Sequence, residues 1–247
     1  MERIVYVYSL QAFLAFLLCF GFIAPLSPAE TVRDDFDSPE LNIYAWEVVG
    51  EGKGTYSIED GQLILESPGV SDGVILYFKQ EIQGDVTVEC QLDPTNVDPG
   101  TLGTVGFTDG IFAPEPSPDF WVHWLAHFNY SPTNTTPFVD NYPGENGFPA
   151  VGGAINCDPE SHIWKFEVSG DKVRYYLDGE DLGESDRGSD FRYFHVSPDT
   201  YTSHYFGTVA IDYIEITGNS VKSLAVSPSG KLALTWGMTK KGKKGMD

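Results

Sequence analysis

The sequence has few basic residues, few cysteines and no helical periodicity of useful length. Lysine and arginine number 15 against 36 aspartates and glutamates, a formal net charge of −21. Such a chain repels phosphate groups and anionic lipid, so nucleic acid and membrane surfaces are poor partners, while neutral sugars and cations remain compatible. The charge is equally compatible with a role in solubility. Nucleophile elbows, phosphate loops and dinucleotide fingerprints are also absent, which disfavours the other common enzyme classes.

Cysteine is too scarce for a disulfide framework or a cysteine-based metal site. Three cysteines are present, and Cys19 falls within an N-terminal apolar run. The other two, Cys90 and Cys157, cannot alone form a four-ligand structural zinc site. An oxidising compartment favours a disulfide between them, whereas the place of Cys90 in the apolar phase of a strand favours a buried free thiol. The sequence leaves both alternatives open.

The first 29 residues have the features of a signal peptide. Ala12–Leu26 is almost uninterrupted apolar sequence, and Ser27–Ala29 places small residues at the processing positions. A retained signal anchor is the alternative, but the run is shorter than the roughly 20 residues of a spanning helix. We therefore expect a mature chain from Glu30 that is secreted, periplasmic or at the cell surface, with no membrane insertion after signal removal.

Alternation of apolar and polar residues with period 2 is the dominant pattern of the mature chain, and it is clearest from Trp164 to Gly183. There two alternating runs flank turn chemistry at Ser169–Asp171 and end at Asp178–Gly179, which predicts a β-hairpin. The other predicted strands are Tyr56–Ile58, Leu63–Leu65, Val74–Phe78, Asp85–Asp93, Thr104–Thr108 and Thr208–Thr217.

Turn signals recur roughly every ten residues, which favours an all-β antiparallel two-sheet sandwich. We place this domain at 30–218, with Phe36 and Trp46 as core anchors, and treat 219–247 as a C-terminal appendage with a basic tail. Ser131–Glu160 and Ser185–Ser203 show little alternation and are predicted as loops.

Three segments together resemble the concanavalin A-like lectin/glucanase superfamily, including its laminin-G-like jelly rolls: the hairpin EDGQLIL, the hairpin SGDKVRYYLDGE and the late strand GTVAIDYIEIT. The likeness covers about Asp34 to Gly218. It implies a curved sandwich of two antiparallel sheets, in which sugars often lie on the concave face and many members bind calcium. Its motifs are turns and strands, so it indicates the fold better than the activity.

Laminarinase-like members of that superfamily carry a strand of the form Glu-x-Asp-x-x-Glu or Glu-x-Asp-x-Glu, and this sequence contains no such strand. The nearest approach, Ile211–Glu215, has acids at only two of the positions, and the resemblance implies a closing structural strand there. A glycosidase needs two suitably placed carboxyl groups whatever their sequence spacing, so an enzyme with an unrecognised acid pair stays an alternative.

Strand alternation divides the segment Phe120–Tyr130, FWVHWLAHFNY, into two faces. One face is apolar and suits the space between two sheets, while the other combines rings with hydrogen-bonding groups, as sugar sites do. Asp85–Asp93 also presents polar side chains opposite its apolar phase. If both strands share a sheet, we expect one carbohydrate-binding groove. Its predicted residues are Glu89, Gln91, Trp121, His123, His127 and Asn129.

Two alternatives to this groove concern the same residues. Trp121 is covered by the Ser131–Glu160 loop in one interpretation, with both histidines as ordinary polar residues of an outer face. A zinc site is disfavoured because His123 and His127 lie two pleats apart on one strand.

A calcium site is predicted separately from acids at the two ends of the domain. Asp34, Asp35 and Asp37 lie near its start and Asp212 in its closing strand, and hard cations prefer several oxygen ligands. The resemblance implies that the first and last strands are neighbours, which makes Asp35 and Asp212 the predicted ligands. Chance clustering in an acidic chain is the alternative.

The favoured functional interpretation is a secreted lectin-like module that binds carbohydrate or polysaccharide without catalysis. The first alternative is a glycoside hydrolase or polysaccharide lyase, for which Glu89 is the nominated acid. The second alternative is a non-enzymatic adhesion or spacer domain.

Overall fold

A computed structural model of the chain describes residues 29–50, 52–69, 73–94, 103–112, 124–131, 133–139, 148–149, 153–158, 160–187, 190–198 and 207–222. Among these residues there is no helix, and hence none long and apolar enough to span a bilayer. Nearly all of the predicted signal peptide and most of the predicted appendage lie outside the described residues.

The described residues form sixteen strands. They are β1 (Glu30–Asp34), β2 (Trp46–Gly50), β3 (Thr55–Glu59), β4 (Gln62–Ser67), β5 (Val74–Phe78), β6 (Val86–Asp93), β7 (Gly103–Thr108), β8 (Trp124–Tyr130), β9 (Asn134–Val139), β10 (Phe148–Pro149), β11 (Ile155–Asn156), β12 (His162–Ser169), β13 (Lys172–Leu177), β14 (Glu180–Asp186), β15 (Tyr193–Ser197) and β16 (Gly207–Gly218).

The strands make two antiparallel sheets. Sheet A has the order β14-β13-β12-β6-β16-β4-β3, with β1 also paired to β16. Sheet B has the order β10-β9-β8-β7-β15-β5-β2, with β11 also paired to β9. Strand β16 is long enough for β4 to pair with its first part and β1 with its last part. The predicted all-β antiparallel two-sheet sandwich is confirmed.

The core lies between the sheets and follows the alternation of the sequence. In β12, Trp164, Phe166 and Val168 are buried, while Lys165 and Glu167 between them are partly exposed. Burial of a large apolar side chain contributes roughly 1.5–3 kcal/mol, so this pattern sets which face of the strand points inward.

Aromatic rings join the two sheets across the core. The ring centroids of Phe128 and Phe166 lie 5.0 Å apart, and those of Phe128 and Tyr175 lie 5.3 Å apart, both edge to face. The predicted anchors Phe36 and Trp46 are buried, and Trp46 Nε1 donates to Asp34 Oδ2 at 2.8 Å. This bond fixes the end of β1 to the start of β2.

The predicted hairpins β3–β4 and β12–β13 are confirmed. Asp-Gly pairs form two tight turns, one between β3 and β4 and one between β13 and β14. Asp60 and Gly61 have φ of 53° and 79°, and Asp178 and Gly179 have φ of 52° and 78°. Two successive positive φ values are what a type I′ hairpin turn requires, and Asp-Gly is a favoured pair there.

Both predicted loops contain strands, so their assignment as loops was wrong. Within Ser131–Glu160 lie β9, β10 and β11, and β9 pairs with β8 despite the proline at its centre. Within Ser185–Ser203 lies β15, which is flanked by β5 and β7 and is buried along most of its length. A strand that is buried on both faces shows no alternation of apolar and polar residues, and β15 was therefore not predicted from the sequence.

Cys90 and Cys157 are both free thiols, so the disulfide alternative is wrong. Cys90 points into the core with its Sγ 3.7 Å from the Trp164 carbonyl oxygen, whereas Cys157 is only half-buried beside the Ser131 carbonyl. Burial raises the pKa of the Cys90 thiol and keeps it protonated.

Candidate functional site

The outer face of sheet A, which points away from the core, carries a row of polar side chains across six strands. The alternation that buries Val88 and Cys90 turns Glu89 outward, and the same holds for its cross-strand neighbours. From β1 to β14 the row is Arg33, Glu215, Glu89, Lys165, Tyr176 and Asp181.

Two carboxylates stand side by side in this row. Glu89 of β6 is directly opposite Glu215 of β16, and directly opposed Cβ atoms of an antiparallel pair lie about 4.5–5.5 Å apart. Like charges in this position destabilise a sheet. Among the paired positions of the described strands, no other pair places two carboxylates opposite each other. We call Glu89 and Glu215 the acid pair.

Each member of the acid pair has its own donor. Tyr213 Oη donates to Glu89 Oε1 at 2.7 Å, and Arg33 Nη1 donates to Glu215 Oε2 at 3.3 Å. The Arg33 guanidinium also lies over the Tyr213 ring, 4.0 Å from its centroid. Burial, together with the bond to Glu89, raises the pKa of Tyr213, which therefore stays protonated as a donor. These contacts offset the repulsion between the two carboxylates.

Glu167, one row away on the same face, is an acid without a second carboxylate opposite it and can be compared with the acid pair. Its Oε2 accepts a bond from Tyr176 Oη at 2.7 Å, and its Oε1 lies 2.7 Å from Lys165 Nζ. The bond from Lys165, then that from Tyr176, lowers the pKa of Glu167. Opposite it in register are Thr87 and Arg174. Glu167 therefore has a tyrosine donor and a cation, as the acid pair does, but no second carboxylate.

The predicted calcium ligands are bound to other groups: Asp35 directly follows β1, and Asp212 lies in β16. The first and last strands do pair, as expected. Asp35 forms an ion pair with Arg33, with Nη2 2.6 Å from its Oδ1. Asp212 accepts bonds from Gln62 Nε2 at 2.5 Å and Ser161 Oγ at 3.3 Å, and Gln91 Nε2 donates to that serine at 3.1 Å.

Calcium requires six to eight oxygen ligands, and this geometry does not supply them. Within the described ranges no group of three or more His, Cys, Asp or Glu side chains is placed to hold a metal. Asp35 and Asp212 do not fit a calcium ion in this arrangement, and calcium binding stays a prediction.

The single groove predicted from β6 and β8 does not form, because the two strands belong to different sheets. Glu89 and Gln91 lie on the outer face of sheet A, whereas His127 and Asn129 belong to sheet B. Trp121 and His123 lie outside the described residues. Alternation shows which residues of a strand share a face, but it carries no information about which sheet the strand joins. For this reason the sequence could not show that β6 and β8 lie in different sheets.

The outer face of sheet B carries two histidines with a glycine between them. His127 of β8, Gly106 of β7 and His195 of β15 are in register, and Tyr77 of β5 continues the row. A Cβ on Gly106 would lie 2.4 Å from the Ala126 carbonyl oxygen and from His127 Cα, so only glycine fits.

Unlike the acid pair, these histidines are buried. The exposed fraction is 3% for His127 and 0% for His195 and Tyr77. His195 Nε2 lies 3.3 Å from Thr104 Oγ1, and His127 Nδ1 lies 3.3 Å from the Leu125 carbonyl oxygen. Burial lowers the pKa of His127 to about 4, and burial followed by the nearby His127 lowers that of His195 to about 3. Both rings are therefore neutral at neutral pH.

Sequence reasoning missed Glu215, Tyr213 and His195. The sequence assigned Glu215 to a closing strand with a structural role. Its position opposite Glu89 depends on cross-strand register, and the two residues are far apart in the sequence. The outward phase shared by Tyr213 and Glu215 was the available signal, since the two residues alternate with buried Ile214 and Ile216.

No family profile and no curated protein matches this sequence. Solved structures do match. One accompanies work on endo-acting O-glycanases with which human gut bacteria initiate mucin breakdown: TM-score 0.58, 14% identity, 76% of this chain and 98% of that chain. The endo-β-1,3-glucanase of Pyrococcus furiosus matches with TM-score 0.51 and 16% identity over 76% of this chain and 93% of its own. The laminarinase catalytic domain of Thermotoga maritima matches with TM-score 0.53 and 13% identity over 77% and 98%.

These matches establish that the chain has the concanavalin A-like jelly-roll fold, which confirms the resemblance found in the sequence. They also correct the prediction of a carbohydrate-binding module without catalysis. The three structures named above, which share the fold over nearly their whole length, are described as an endo-β-1,3-glucanase, a laminarinase catalytic domain and a structure from work on endo-acting O-glycanases.

Proposed function

We propose that this protein is a glycoside hydrolase that acts on polysaccharide, with Glu89 and Glu215 as its catalytic acids. The observation that carries the proposal is the placement of two carboxylates directly opposite each other on neighbouring strands. The jelly-roll fold shared with endo-acting glycanases supports the same reaction class.

Accessibility favours the outer face of sheet A over that of sheet B. The Glu215 side chain is 38% exposed and Glu89 is partly exposed, so a polymer can reach both carboxylates. The histidines of sheet B are buried and neutral. Glycoside hydrolysis depends on carboxyl groups that can donate and accept protons at the scissile bond. Within the described strands, the outer face of sheet A is the one that offers two such groups opposite each other and partly exposed.

The cross-strand register of the acid pair permits a retaining mechanism, which we include in the proposal. Retaining glycosidases keep their two carboxyl groups about 5–5.5 Å apart, whereas inverting enzymes need about 6.5–9.5 Å for a water molecule. The cross-strand register of Glu89 and Glu215 gives Cβ atoms about 4.5–5.5 Å apart, which is compatible with the shorter distance.

The neighbours of the acid pair suggest the role of each member. Arg33 places a cation beside the carboxyl group of Glu215, which we assign as the nucleophile that attacks the anomeric carbon. Glu89 would protonate the departing glycosidic oxygen and then take a proton from the water that releases the sugar from Glu215. Tyr213 would hold Glu89 in position through its hydrogen bond.

The open, sheet-like surface around the acid pair would accept the interior of a polymer rather than only its end. We therefore expect endo-cleavage. The predicted signal peptide is compatible with a substrate outside the cytoplasm, and the location stays a prediction.

The test is to incubate the protein with β-1,3-glucan and with mucin O-glycan and to measure released reducing ends. We expect release by the wild type, with the first product in the anomeric configuration of the cleaved bond when followed by NMR. Glu89→Gln and Glu215→Gln should each lower the rate by about 10²–10⁴-fold while leaving the melting temperature unchanged.

Glu167→Gln is the matched control, because Glu167 has the same kinds of donor but no opposing carboxylate. We expect it to retain near wild-type activity. The proposal is wrong if the wild type releases nothing from either substrate or if the two glutamine variants of the acid pair are as active as the control.

A further inference from the structure

A second candidate site lies away from the acid pair, at one end of the sandwich. A cleft of about 340 Å³ opens between the segment that leads into β6, the segment that follows β14 and the segment that leads into β15. Its lining includes Glu81, Gln83, Arg187, Asp190, Phe191 and Arg192.

Arg187 is the unusual residue of this cleft. Its guanidinium lies over the Phe191 ring, 4.2 Å from the centroid, and its Nε is buried with no hydrogen-bond partner in the described part of the chain. The other arginines in the described ranges each form an ion pair, Arg33 with Asp35, Arg174 with Asp181 and Arg192 with Glu81. With 36 acids against 15 basic residues, an arginine without a carboxylate partner is unexpected.

The acids of the cleft do not supply that partner. Glu81 Oε1 accepts a bond from Tyr193 Oη at 3.2 Å and lies 4.0 Å from Arg192 Nη1, while its Oε2 accepts from Gln83 Nε2 at 3.4 Å. Asp190 is exposed and forms no ion pair among the described residues. A buried donor of a charged group that has no hydrogen-bond partner destabilises the protein, so a bound anion would stabilise Arg187.

The walls of the cleft are held in place by the core. Phe191 is buried and stacks on Phe107 with ring centroids 4.2 Å apart. Ile82 N donates to the Arg192 carbonyl oxygen at 2.7 Å, and Gln83 N donates to Ser220 Oγ at 2.8 Å. A site formed before the ligand arrives pays less conformational entropy on binding.

We infer that this cleft binds the carboxylate of an acidic sugar, with Arg187 as the residue that recognises it. A guanidinium matches a planar carboxylate through two parallel hydrogen bonds, and its stacking on Phe191 fixes its plane. The volume suits a single small ligand. That the ligand is a sugar rests on the proposed function, whereas recognition of a carboxylate does not.

The test is isothermal titration of the full chain with D-glucuronate, with D-glucuronamide as the uncharged counterpart and with D-glucose. We expect glucuronate to bind and both neutral sugars to bind at least about tenfold more weakly. Arg187→Gln should weaken glucuronate binding by at least about tenfold, and the melting temperature of each variant would show that it is folded.

Arg174→Gln is the matched control, because this arginine is ion-paired and lies outside the cleft. It should bind glucuronate as the wild type does. Equal binding of glucuronate and glucuronamide, or equal binding by the wild type and Arg187→Gln, would overturn the inference.

Glu89→Gln separates this inference from the proposed hydrolase activity. If the cleft is a distinct site, this variant binds glucuronate normally whether or not it hydrolyses polysaccharide. Loss of binding in Glu89→Gln would contradict the assignment of the ligand to the cleft.

Discussion

Strand alternation produces the outer faces of both sheets, but sheet A carries partly exposed acids there and sheet B carries buried histidines. On sheet A, Glu89 and Glu215 are partly exposed and stand opposite each other with Tyr213 and Arg33 as donors. On sheet B, His127 and His195 are buried on either side of Gly106. The acids can be reached by a polymer and the histidines cannot.

The difference shows that coverage, and not residue type alone, decides what an outward-facing side chain can do. Burial withdraws a titratable group from water and favours its neutral form. The histidines of sheet B thus belong to the packing of the molecule, while both members of the acid pair stay partly exposed.

Gly106→Val should have the largest effect of any change to the buried face. The new Cβ would overlap the Ala126 carbonyl oxygen and His127 Cα, both at 2.4 Å, and backbone atoms cannot move aside easily. We expect a loss of at least about 3 kcal/mol in the free energy of unfolding, measured by urea denaturation. Gly179→Asn, in an exposed turn with open space at the Cβ position, is the control and should cost much less.

Acid should destabilise the protein through the two histidines. Their native pKa values of about 4 and about 3 lie below the unfolded value of about 6.5, so the unfolded state binds more protons as the pH falls. Their contribution is present above pH 6.5 and is lost progressively towards pH 3, by on the order of a few kcal/mol.

The check is the free energy of unfolding between pH 7 and pH 4 for the wild type and His127→Gln. The variant removes one of the two titrations and should show a shallower decline. Parallel curves for the two proteins would mean that the histidines are not responsible.

Tyr213→Phe should have a smaller effect, which concerns the kcat of cleavage at the exposed face of sheet A. The change removes the hydrogen bond to Glu89 and leaves the ring beneath Arg33. We expect a roughly tenfold lower kcat for polysaccharide cleavage with KM nearly unchanged, since the bond positions a catalytic group. Tyr176→Phe, which removes the equivalent bond to Glu167, should have no effect on kcat.

Replacement of His162 should have the smallest effect on the free energy of unfolding. The contribution of this residue should depend on pH in the opposite direction to that of His127 and His195. Burial lowers its pKa, but bonds to the Asp158 carbonyl oxygen at 2.8 Å and to Asp178 at 2.6 Å outweigh this and raise it overall. Its stabilisation is therefore complete below about pH 6.5 and lost as the pH rises through the native pKa.

Replacement of this histidine by asparagine should cost less than about 1 kcal/mol at pH 5.5 and still less at pH 8.5. Paired thermal denaturation curves at the two pH values measure the difference. A larger cost at the higher pH would contradict the ion pair with Asp178.

The sequence predicted the inward residues of single strands well. Val88, Cys90 and Leu92 of β6 are buried and Glu89 and Gln91 face outward, as the alternation indicated. Such local periodicity follows from the pleat of each strand, which needs no knowledge of its neighbours.

The long-range arrangement could not be predicted in the same way. Nothing near Glu89 in the sequence shows that Glu215 will stand opposite it, because cross-strand register depends on how distant strands pair. Likewise, alternation turned His127 away from the core but could not show that this face is covered.

One assay of polysaccharide cleavage, with thermal denaturation of the same samples, decides whether the acid pair of sheet A or the buried histidines of sheet B carry the chemistry. We predict that Glu89→Gln and Glu215→Gln lower the rate of cleavage by about 10²–10⁴-fold at unchanged melting temperature, while His127→Gln lowers the melting temperature and leaves the kcat of the folded protein unchanged. Loss of kcat in His127→Gln, with full activity in both glutamate variants, would contradict it and place the chemistry on sheet B.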